Sequence, residues 1–290
     1  MKAPDFNFAQ PVSVEAAIAT FNDTAGDAIY IAGGQSVMPS LNLRLQSPDR
    51  LIDLTRIKEL SGVSIEAEFL RIGALTTHSE VLSNALIAKY APLLQKAAPF
   101  VAHPAIRNRG TIGGSIALAD PASEFPAVVL ALAAEIIVMG PDGLRTIAAE
   151  DFFLDLYETA LNPEEILMAI RIPIAKLQTI SVFDEFARRR GDYAMVGCAI
   201  QSECAGGSLH NPRIAFLSVG PTPVLARGAA SQLDAKPLDM SVIQQAQKAM
   251  ENDLDPMDDP FVPRAMRMHL ARVLLGRLLS RLQPMLDKSQ

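Results

Sequence analysis

Two short segments of the sequence combine a pair of glycines with small hydroxyl residues. They are Ala32-Gly33-Gly34-Gln35-Ser36 and Thr111-Ile112-Gly113-Gly114-Ser115, and each lies beside an apolar or β-branched stretch. Glycine has no Cβ and tolerates positive φ, so the chain can turn sharply and a ligand can lie directly on its amides. Successive amides in such a turn form an anion-binding concavity, to which hydroxyls add donors. One such segment is typical of an ordinary reversal turn. Two near-copies predict loops that converge on one extended ligand containing a diphosphate.

The spacing of these glycines excludes the two most common phosphate-binding loops. Neither segment has the lysine of the pattern Gly-x4-Gly-Lys-Ser/Thr. Neither fits Gly-x-Gly-x-x-Gly with an acidic residue about twenty positions further on. A diphosphate bound by amides and hydroxyls, without lysine or magnesium, indicates a redox dinucleotide rather than ATP.

Composition limits the other possibilities. The 290 residues are 49% hydrophobic, which predicts a globular protein of two domains. The net charge is −6 and the basic residues form no long run, so we expect no nucleic-acid partner. No apolar stretch is long enough to cross a bilayer and no signal peptide opens the chain, so we expect a cytoplasmic protein without an integral membrane segment. Two cysteines cannot hold an iron–sulfur cluster, and the four histidines lack ligand spacing, so we expect no metal on this chain.

The arrangement of apolar stretches predicts an α+β protein, because strands cluster instead of alternating with helices. A helix is expected over residues 79–89, and Asp120-Pro121 is typical of a helix start. The pattern changes near residues 173–178, after which three sequential strands are expected at 181–187, 196–204 and 208–219. We therefore expect a domain boundary at this change.

Three stretches occur in the order and spacing of a known family. They are residues 32–44, residues 106–117 followed by Asp120-Pro121-Ala122-Ser123-Glu124, and Phe186-Ala187-Arg188-Arg189 with Gly191-Asp192-Tyr193-Ala194. Over its whole length the chain resembles the FAD-binding medium subunits of the molybdenum hydroxylases, a group that includes aerobic carbon monoxide dehydrogenase and the xanthine dehydrogenase family.

The resemblance implies a particular architecture. Residues 1–176 would form a FAD-binding domain of the vanillyl-alcohol-oxidase (PCMH) type, with subdomains of about 1–55 and 56–176. Residues 177–290 would form a C-terminal α+β domain of the carbon monoxide dehydrogenase flavoprotein type, with a three-stranded antiparallel sheet.

The resemblance also implies a function. The chain would hold FAD noncovalently and work with a large molybdopterin subunit and a small subunit carrying 2Fe–2S clusters, in a dimer of heterotrimers. Substrate would be hydroxylated on the large subunit, and electrons would pass through the clusters to FAD and then to an external acceptor. Two alternatives stay open: a stand-alone FAD-dependent oxidoreductase and a flavin-binding assembly protein.

Individual roles follow from the same resemblance. The first segment would hold the pyrophosphate and the second would close on it from the other side. Glu124 would contact a polar part of the cofactor or pair with a helix dipole, and Asp120 would contact the cofactor or cap that helix. Leu167 would support the adenine or flavin or be ordinary strand core, and Tyr193 would lie near the isoalloxazine ring or pack between domains. The residues expected at FAD are Ala32, Gly33, Gly34, Gln35, Ser36, Thr111, Ile112, Gly113, Gly114, Ser115, Asp120, Glu124, Leu167 and Tyr193. Arg107 and Arg109 would offset the diphosphate charge or pair elsewhere.

Overall fold

The structure, a computed structural model, describes residues 2–175 and 178–287. The boundary expected between residues 176 and 177 therefore lies outside the described residues. The strands are β1 Asn7–Ala9, β2 Ala28–Ile31, β3 Arg50–Asp53, β4 Val63–Glu66, β5 Phe69–Gly73, β6 Glu135–Gly140, β7 Gly143–Ala148, β8 Phe153–Asp155, β9 Glu158–Thr159, β10 Ile166–Pro173, β11 Thr179–Ala187, β12 Ala194–Ala205, β13 Ser208–Leu217 and β14 Val224–Leu225. The α-helices are α1 Val14–Asn22, α2 Val37–Asn42, α3 His78–Ser83, α4 Ala85–Tyr90, α5 Pro92–Ala97, α6 Pro104–Arg107, α7 Ile112–Leu118, α8 Glu124–Ala131, α9 Ala149–Phe152, α10 Arg227–Leu233, α11 Met240–Ala249 and α12 Arg264–Asp287.

The chain begins with a small parallel sheet in the order β1-β3-β2. Helix α1 precedes β2, and its N-cap is Ser13, whose side chain accepts a hydrogen bond from the amide of Ala16. The apolar face of α1, Val14 and Ile18, packs with Ile52 of β3 in a local core. Pairing with β3 therefore fixes the position of Ile31, the last residue of β2, shortly before the first glycine pair.

A second sheet is antiparallel and has the order β4-β5-β10-β6-β7. Alternate residues of β6, such as Ile136 and Val138, are fully buried because successive side chains of a strand point to opposite faces. Helix α8 packs in the same core and is buried on all sides from Phe125 to Ala131. This is the environment expected for a helix without a polar face.

Two predicted helix boundaries are wrong. The helix expected over 79–89 is divided at Asn84, whose Oδ1 accepts hydrogen bonds from the amides of Leu86 and Ile87 and so starts α4. Asp120 does not cap α8, because that helix begins at Glu124 after Ser123. Asp120 Oδ1 instead accepts the amide of Ala122 at 2.9 Å. This local turn competes with the helix, which explains why the start is displaced.

The C-terminal part contains the antiparallel sheet β11-β12-β13-β14. Its three long strands are those expected from the sequence, and β14 adds a two-residue edge to them. Helix α12 covers one face of the sheet, with Leu275 and Leu279 fully buried. The α+β architecture is thereby confirmed.

The two parts share a continuous apolar core. Phe183 and Leu217 of the C-terminal sheet lie in the same buried cluster as Phe125 of α8. The amide of Ser218 donates to the carbonyl of Pro121 at 2.8 Å. The loop before α8 is therefore held by both parts of the protein. Among the described residues, no helix is both long and apolar enough to cross a membrane.

Candidate cofactor site

One cavity gathers almost all the residues expected at the cofactor. Its volume is about 700 Å³, and it lies between the end of β2, helix α7, the loop before α8 and the β11–β12 connection. The cavity is lined by Ala32, Gly33, Gly34, Gln35, Ser36, Thr111, Gly113, Gly114, Ser115, Asp120, Glu124, Leu167 and Tyr193. Ile112 is the exception, because its side chain is fully buried in the core. Ligand pockets commonly measure about 300–1,000 Å³.

The first glycine segment is a turn with free amides. It joins β2 to α2, and Gly34 adopts φ +72°, a conformation that favours glycine. The amides of Gly33, Gly34, Gln35 and Ser36 donate to no other group in residues 2–175 and 178–287. Because this segment lines the cavity, its donors are available to an anionic ligand.

The second segment is not a turn, which corrects the expectation of two equivalent loops. Thr111 is the N-cap of α7 and accepts the amide of Gly114 through Oγ1 at 3.1 Å. The amides of Ile112 and Gly113 donate to the carbonyls of Thr76 and Ala74, both at 2.9 Å. These donors hold α7 against the chain that follows β5, so they are not free for a ligand.

The two glycines of each pair have different surroundings. A Cβ on Gly33 would lie 2.1 Å from the carbonyl oxygen of Arg109, and a Cβ on Gly113 would lie 2.5 Å from Cβ of Ala74. The first glycine therefore allows protein segments to pack closely. Around Gly114, by contrast, a Cβ would meet only Thr111 Oγ1, at 2.9 Å, whereas a Cβ on Gly34 would meet Ile31 Cδ1 and Met38 Cγ, both at 3.4 Å. The first glycine of each pair therefore has the same packing role, although only the first segment presents free amides.

The remaining expected residues lie around the cavity in varied settings. Leu167, on β10, is 6% exposed and contributes an apolar wall. Asp120 is also buried, and burial raises the pKa of its carboxyl group. Tyr193 is 76% exposed at the rim, so its ring does not fill an interdomain core.

No lysine or arginine among the described residues lines the cavity. Arg107, considered as a diphosphate partner, donates through Nη1 to the carbonyls of Val101 and Ala102 at 2.8 and 2.9 Å. Arg109 lines a second hollow of about 450 Å³, which shares Gly33, Gly34 and Gln35 of the first segment with the cavity. The acidic Glu165 is neutralised by two hydrogen bonds from Arg145, which lower the pKa of Glu165. Within this lining, the groups that can donate to an anionic ligand are therefore backbone amides and neutral side chains.

His78 is a lining residue that the sequence reasoning missed. Its ring lies 5.1 Å from that of Phe125, and its amide donates to the carbonyl of Gly110 at 2.9 Å. Burial, assisted by nearby Arg107, lowers the pKa of His78 to about 4, so the imidazole is neutral at pH 7. A sequence signal marks its position: Thr77 and Glu80 form the capping box of α3 by exchanging hydrogen bonds, and His78 is the first residue of that helix.

The described residues contain no group of three or more His, Cys, Asp and Glu side chains arranged to hold a metal. Cys198 and Cys204 are buried free thiols. Burial raises the pKa of Cys198, which keeps it in its unreactive protonated form.

Comparison with known proteins identifies the family. The family described as "FAD binding domain in molybdopterin dehydrogenase" matches residues 4–175, more than half of the chain. The chain belongs to this family. The family described as "CO dehydrogenase flavoprotein C-terminal domain" matches residues 181–282 of this flavoprotein.

Relatives match the flavoprotein over nearly its whole length. The carbon monoxide dehydrogenase medium chain of Hydrogenophaga pseudoflava is 36% identical, over 89% of this chain and 90% of the relative. The 6-hydroxypseudooxynicotine dehydrogenase complex subunit alpha of Paenarthrobacter nicotinovorans is 35% identical, over 97% of this chain and 95% of the relative. A solved structure of the Hydrogenophaga pseudoflava carbon monoxide dehydrogenase superposes with a TM-score of 0.94 at 35% identity, covering 97% of this chain and 98% of that one.

FAD is the cofactor of this family, and bound FAD supplies reversible redox chemistry. The donors of the cavity fit its chemical groups. The free amides of Gly33–Ser36 suit the diphosphate, and the unbranched surface at Gly114 leaves room for a ligand beside α7. The apolar wall at Leu167 suits a flat ring system.

Proposed function

We propose that this flavoprotein is the electron-transfer medium subunit of a molybdenum-containing hydroxylase. It would receive electrons from the 2Fe–2S clusters of a small partner subunit and pass them to an external acceptor. A large molybdopterin subunit would carry the hydroxylation site. Two relatives support this role, since one is a medium chain of carbon monoxide dehydrogenase and the other is a subunit of a dehydrogenase complex.

The observation that carries the proposal for the site is the row of free amides at one end of the cavity. Ala32 follows β2, and Gly33, Gly34, Gln35 and Ser36 would hold the FAD diphosphate through these amides. An anion in a concave set of backbone donors is stabilised without a lysine or a metal.

The other lining residues would complete the site by shape and polarity. Thr111, Gly113, Gly114 and Ser115 would form the opposing wall, with the Ser115 hydroxyl as a donor. Ile112 would act only by anchoring this wall, because its amide is bonded to Thr76 and its side chain is in the core.

Asp120 and Glu124 would face polar groups of the cofactor, and Leu167 would contact a ring. Tyr193 would cover part of the isoalloxazine from the rim. FAD would be held noncovalently: Cys198 and Cys204 are buried in β12, outside the described cavity lining.

Co-purification tests the function directly. A tagged chain purified from the cells that naturally produce it should recover FAD, a large molybdenum-containing polypeptide and a small iron–sulfur polypeptide in equal amounts. FAD on a chain that oxidises an organic substrate alone would instead support a stand-alone oxidoreductase. Recovery of the partners without any flavin would support an assembly protein.

Three further features belong to the same proposal. The complex would be a dimer of heterotrimers, which light scattering on the purified assembly would measure. It would be cytoplasmic, which cell fractionation would test. The chain would divide into residues 1–176 and 177–290, in agreement with family matches to 4–175 and 181–282, and limited proteolysis would locate the boundary.

A further inference from the structure

The residue that follows β13 connects the C-terminal sheet with the cavity. Ser218 is buried, and its φ of +61° lies in the left-handed region that residues other than glycine seldom adopt. Such a conformation persists where the surrounding bonds determine it, and it is commonest at functional sites. The hydroxyl, the amide and the carbonyl of Ser218 are all hydrogen-bonded. The partners of these three groups therefore show what the conformation serves.

Two of these bonds reach the cavity lining from different parts of the chain. The amide of Ser218 donates to the carbonyl of Pro121 at 2.8 Å, in the loop that carries Asp120. The hydroxyl donates to the carbonyl of Ala194 at 2.8 Å. Ala194 begins β12 and directly follows Tyr193. Because Asp120 and Tyr193 both line the cavity, one buried serine holds together the two backbone segments that carry them.

Helix α12 supplies the donor for the third group. Arg267 Nη1 donates to the carbonyls of Ser218 and Met195 at 2.9 and 2.8 Å. Its Nη2 donates to Asp259 Oδ2 at 3.2 Å, and the Arg267 side chain is 13% exposed. A planar guanidinium presents several donors in a fixed fork, which suits it to hold two carbonyl groups at once. Arg267 thus ties the start of β12 and the end of β13 to α12.

We call residues 191–195 the rim segment, and its other end is also held. Gly191 adopts φ +84°, and a Cβ there would lie 2.9 Å from the carbonyl oxygen of Ala102 and 2.9 Å from Cε1 of His103. Tyr193 lies between this close approach and the bonds from Ser218 and Arg267. Its own residue is 76% exposed. The backbone on either side of Tyr193, rather than burial of its ring, therefore fixes its position.

We propose that Ser218 is a positioning residue of the cofactor site. Its hydroxyl holds the rim segment, and its amide holds the loop of Asp120 beside that segment. Ser218 lies outside the described lining of the cavity, so it acts through these neighbours. The inference rests on the proposed function, because it takes FAD as the ligand and Tyr193 as the residue that covers its isoalloxazine.

A second buried serine provides a matched control in the same sheet. Ser202 is 1% exposed, and its Oγ donates to the carbonyls of Glu203 and His210 at 2.8 and 2.9 Å. It follows Ala194 by eight residues in β12. The usual rise of a strand places it about 26 Å from Ala194. Removing its hydroxyl breaks the same kind of bond but leaves the rim segment untouched.

The test compares FAD dissociation with protein stability in the full-length chain. Dissociation from the holoprotein is followed by the fluorescence of the released flavin, and stability by urea denaturation of the apoprotein. Ser218→Ala should raise the dissociation rate by about fivefold, a change typical of one lost hydrogen bond. Ser202→Ala should keep the wild-type dissociation rate. Both variants should lose unfolding free energy, because each lacks a buried hydrogen bond.

A double-mutant cycle connects Ser218 with Tyr193. If Ser218 acts through the rim segment, Ser218→Ala should accelerate dissociation less in a Tyr193→Ala background than in the wild-type background. Ser202→Ala should have the same effect in both backgrounds. Arg267→Lys should accelerate dissociation as Ser218→Ala does, because a single ammonium group cannot reproduce the fork. This second variant tests the inference even if Ser218→Ala fails to fold.

Three results would decide against parts of this reasoning. Wild-type dissociation from Ser218→Ala and from Arg267→Lys, with reduced stability in both, would overturn the inference and leave Ser218 a structural role only. Fully additive effects of Ser218→Ala and Tyr193→Ala would overturn it as well. A wild-type protein that binds no FAD would instead reject the proposed function.

Discussion

Replacing the two glycines of the second segment one at a time should separate folding from cofactor binding. Gly113→Ala puts a methyl group 2.5 Å from Cβ of Ala74 and 2.7 Å from its carbonyl oxygen. These atoms cannot withdraw easily, because the amide of Gly113 is bonded to the same carbonyl. Overpacking of this kind costs about 1–3 kcal/mol, and the better helix propensity of alanine returns up to about 1 kcal/mol. The expected net loss is about 1–2 kcal/mol of unfolding free energy.

Gly114→Ala should have the opposite profile. Its methyl group would meet only the hydroxyl oxygen of Thr111, at 2.9 Å. A gain in helix propensity of up to about 1 kcal/mol would be offset by disturbance of the cap, which is worth about 1 kcal/mol. Stability should therefore stay within about 1 kcal/mol of the wild type. The methyl group would project into the cavity, and we expect FAD to bind at least about tenfold more weakly, which corresponds to about 1.4 kcal/mol.

Two measurements on each apoprotein distinguish these outcomes. Urea denaturation gives the unfolding free energy, and flavin fluorescence titration gives the Kd for FAD. Equal loss of unfolding free energy in both variants would refute the inference that Gly113 is required for packing and Gly114 for cofactor binding. If Gly114→Ala binds FAD with the wild-type Kd, this surface does not face the cofactor.

Further changes should affect the site in predictable ways. Thr111→Val removes the N-cap of α7 and should cost about 1 kcal/mol in urea denaturation, whereas Thr111→Ser should retain most of that stability. Acid precipitation of the holoprotein should release all its FAD, and yellow colour in the pellet would contradict noncovalent binding. Tyr193→Ala should keep FAD but change flavin reoxidation more than flavin reduction in stopped-flow experiments on the assembled complex, and equal effects would assign Tyr193 to packing. Because burial raises the pKa of Glu124 from 4.5 to about 7, apoprotein stability should fall as the pH rises from 5 to 8. The melting temperature of Glu124→Gln should vary less over this range than that of the wild type.

Much of the architecture could be predicted from the sequence, because local patterns and the family motifs agree. The three long C-terminal strands lie where the residues indicate. These features depend on neighbours close in the sequence. The predicted start of α8 was wrong because the local sequence is ambiguous. An aspartate followed by proline is typical of a helix start, whether the aspartate side chain caps the helix or forms a turn.

The difference between the two glycine segments could not be read from the sequence. Both have the same residue types, but their amides differ in what they bind. The second segment is bonded to Ala74 and Thr76, which lie more than thirty residues earlier and approach only through the tertiary fold. Contacts between distant residues decide which groups stay free for a ligand.

The absence of lysine and arginine from the described cavity lining also predicts the kinetics of cofactor capture. A site that attracts its ligand through basic side chains acts at long range, and its association rate falls steeply as salt screens the field. In the proposed site the binding donors would be the amides of Gly33–Ser36, which act only at hydrogen-bonding distance. FAD should therefore associate without attractive steering, and because the protein carries a net charge of −6, its association rate should not fall as the ionic strength rises. Its retention should depend on slow dissociation, so an apoprotein prepared in high salt should reload as readily as one prepared in dilute buffer.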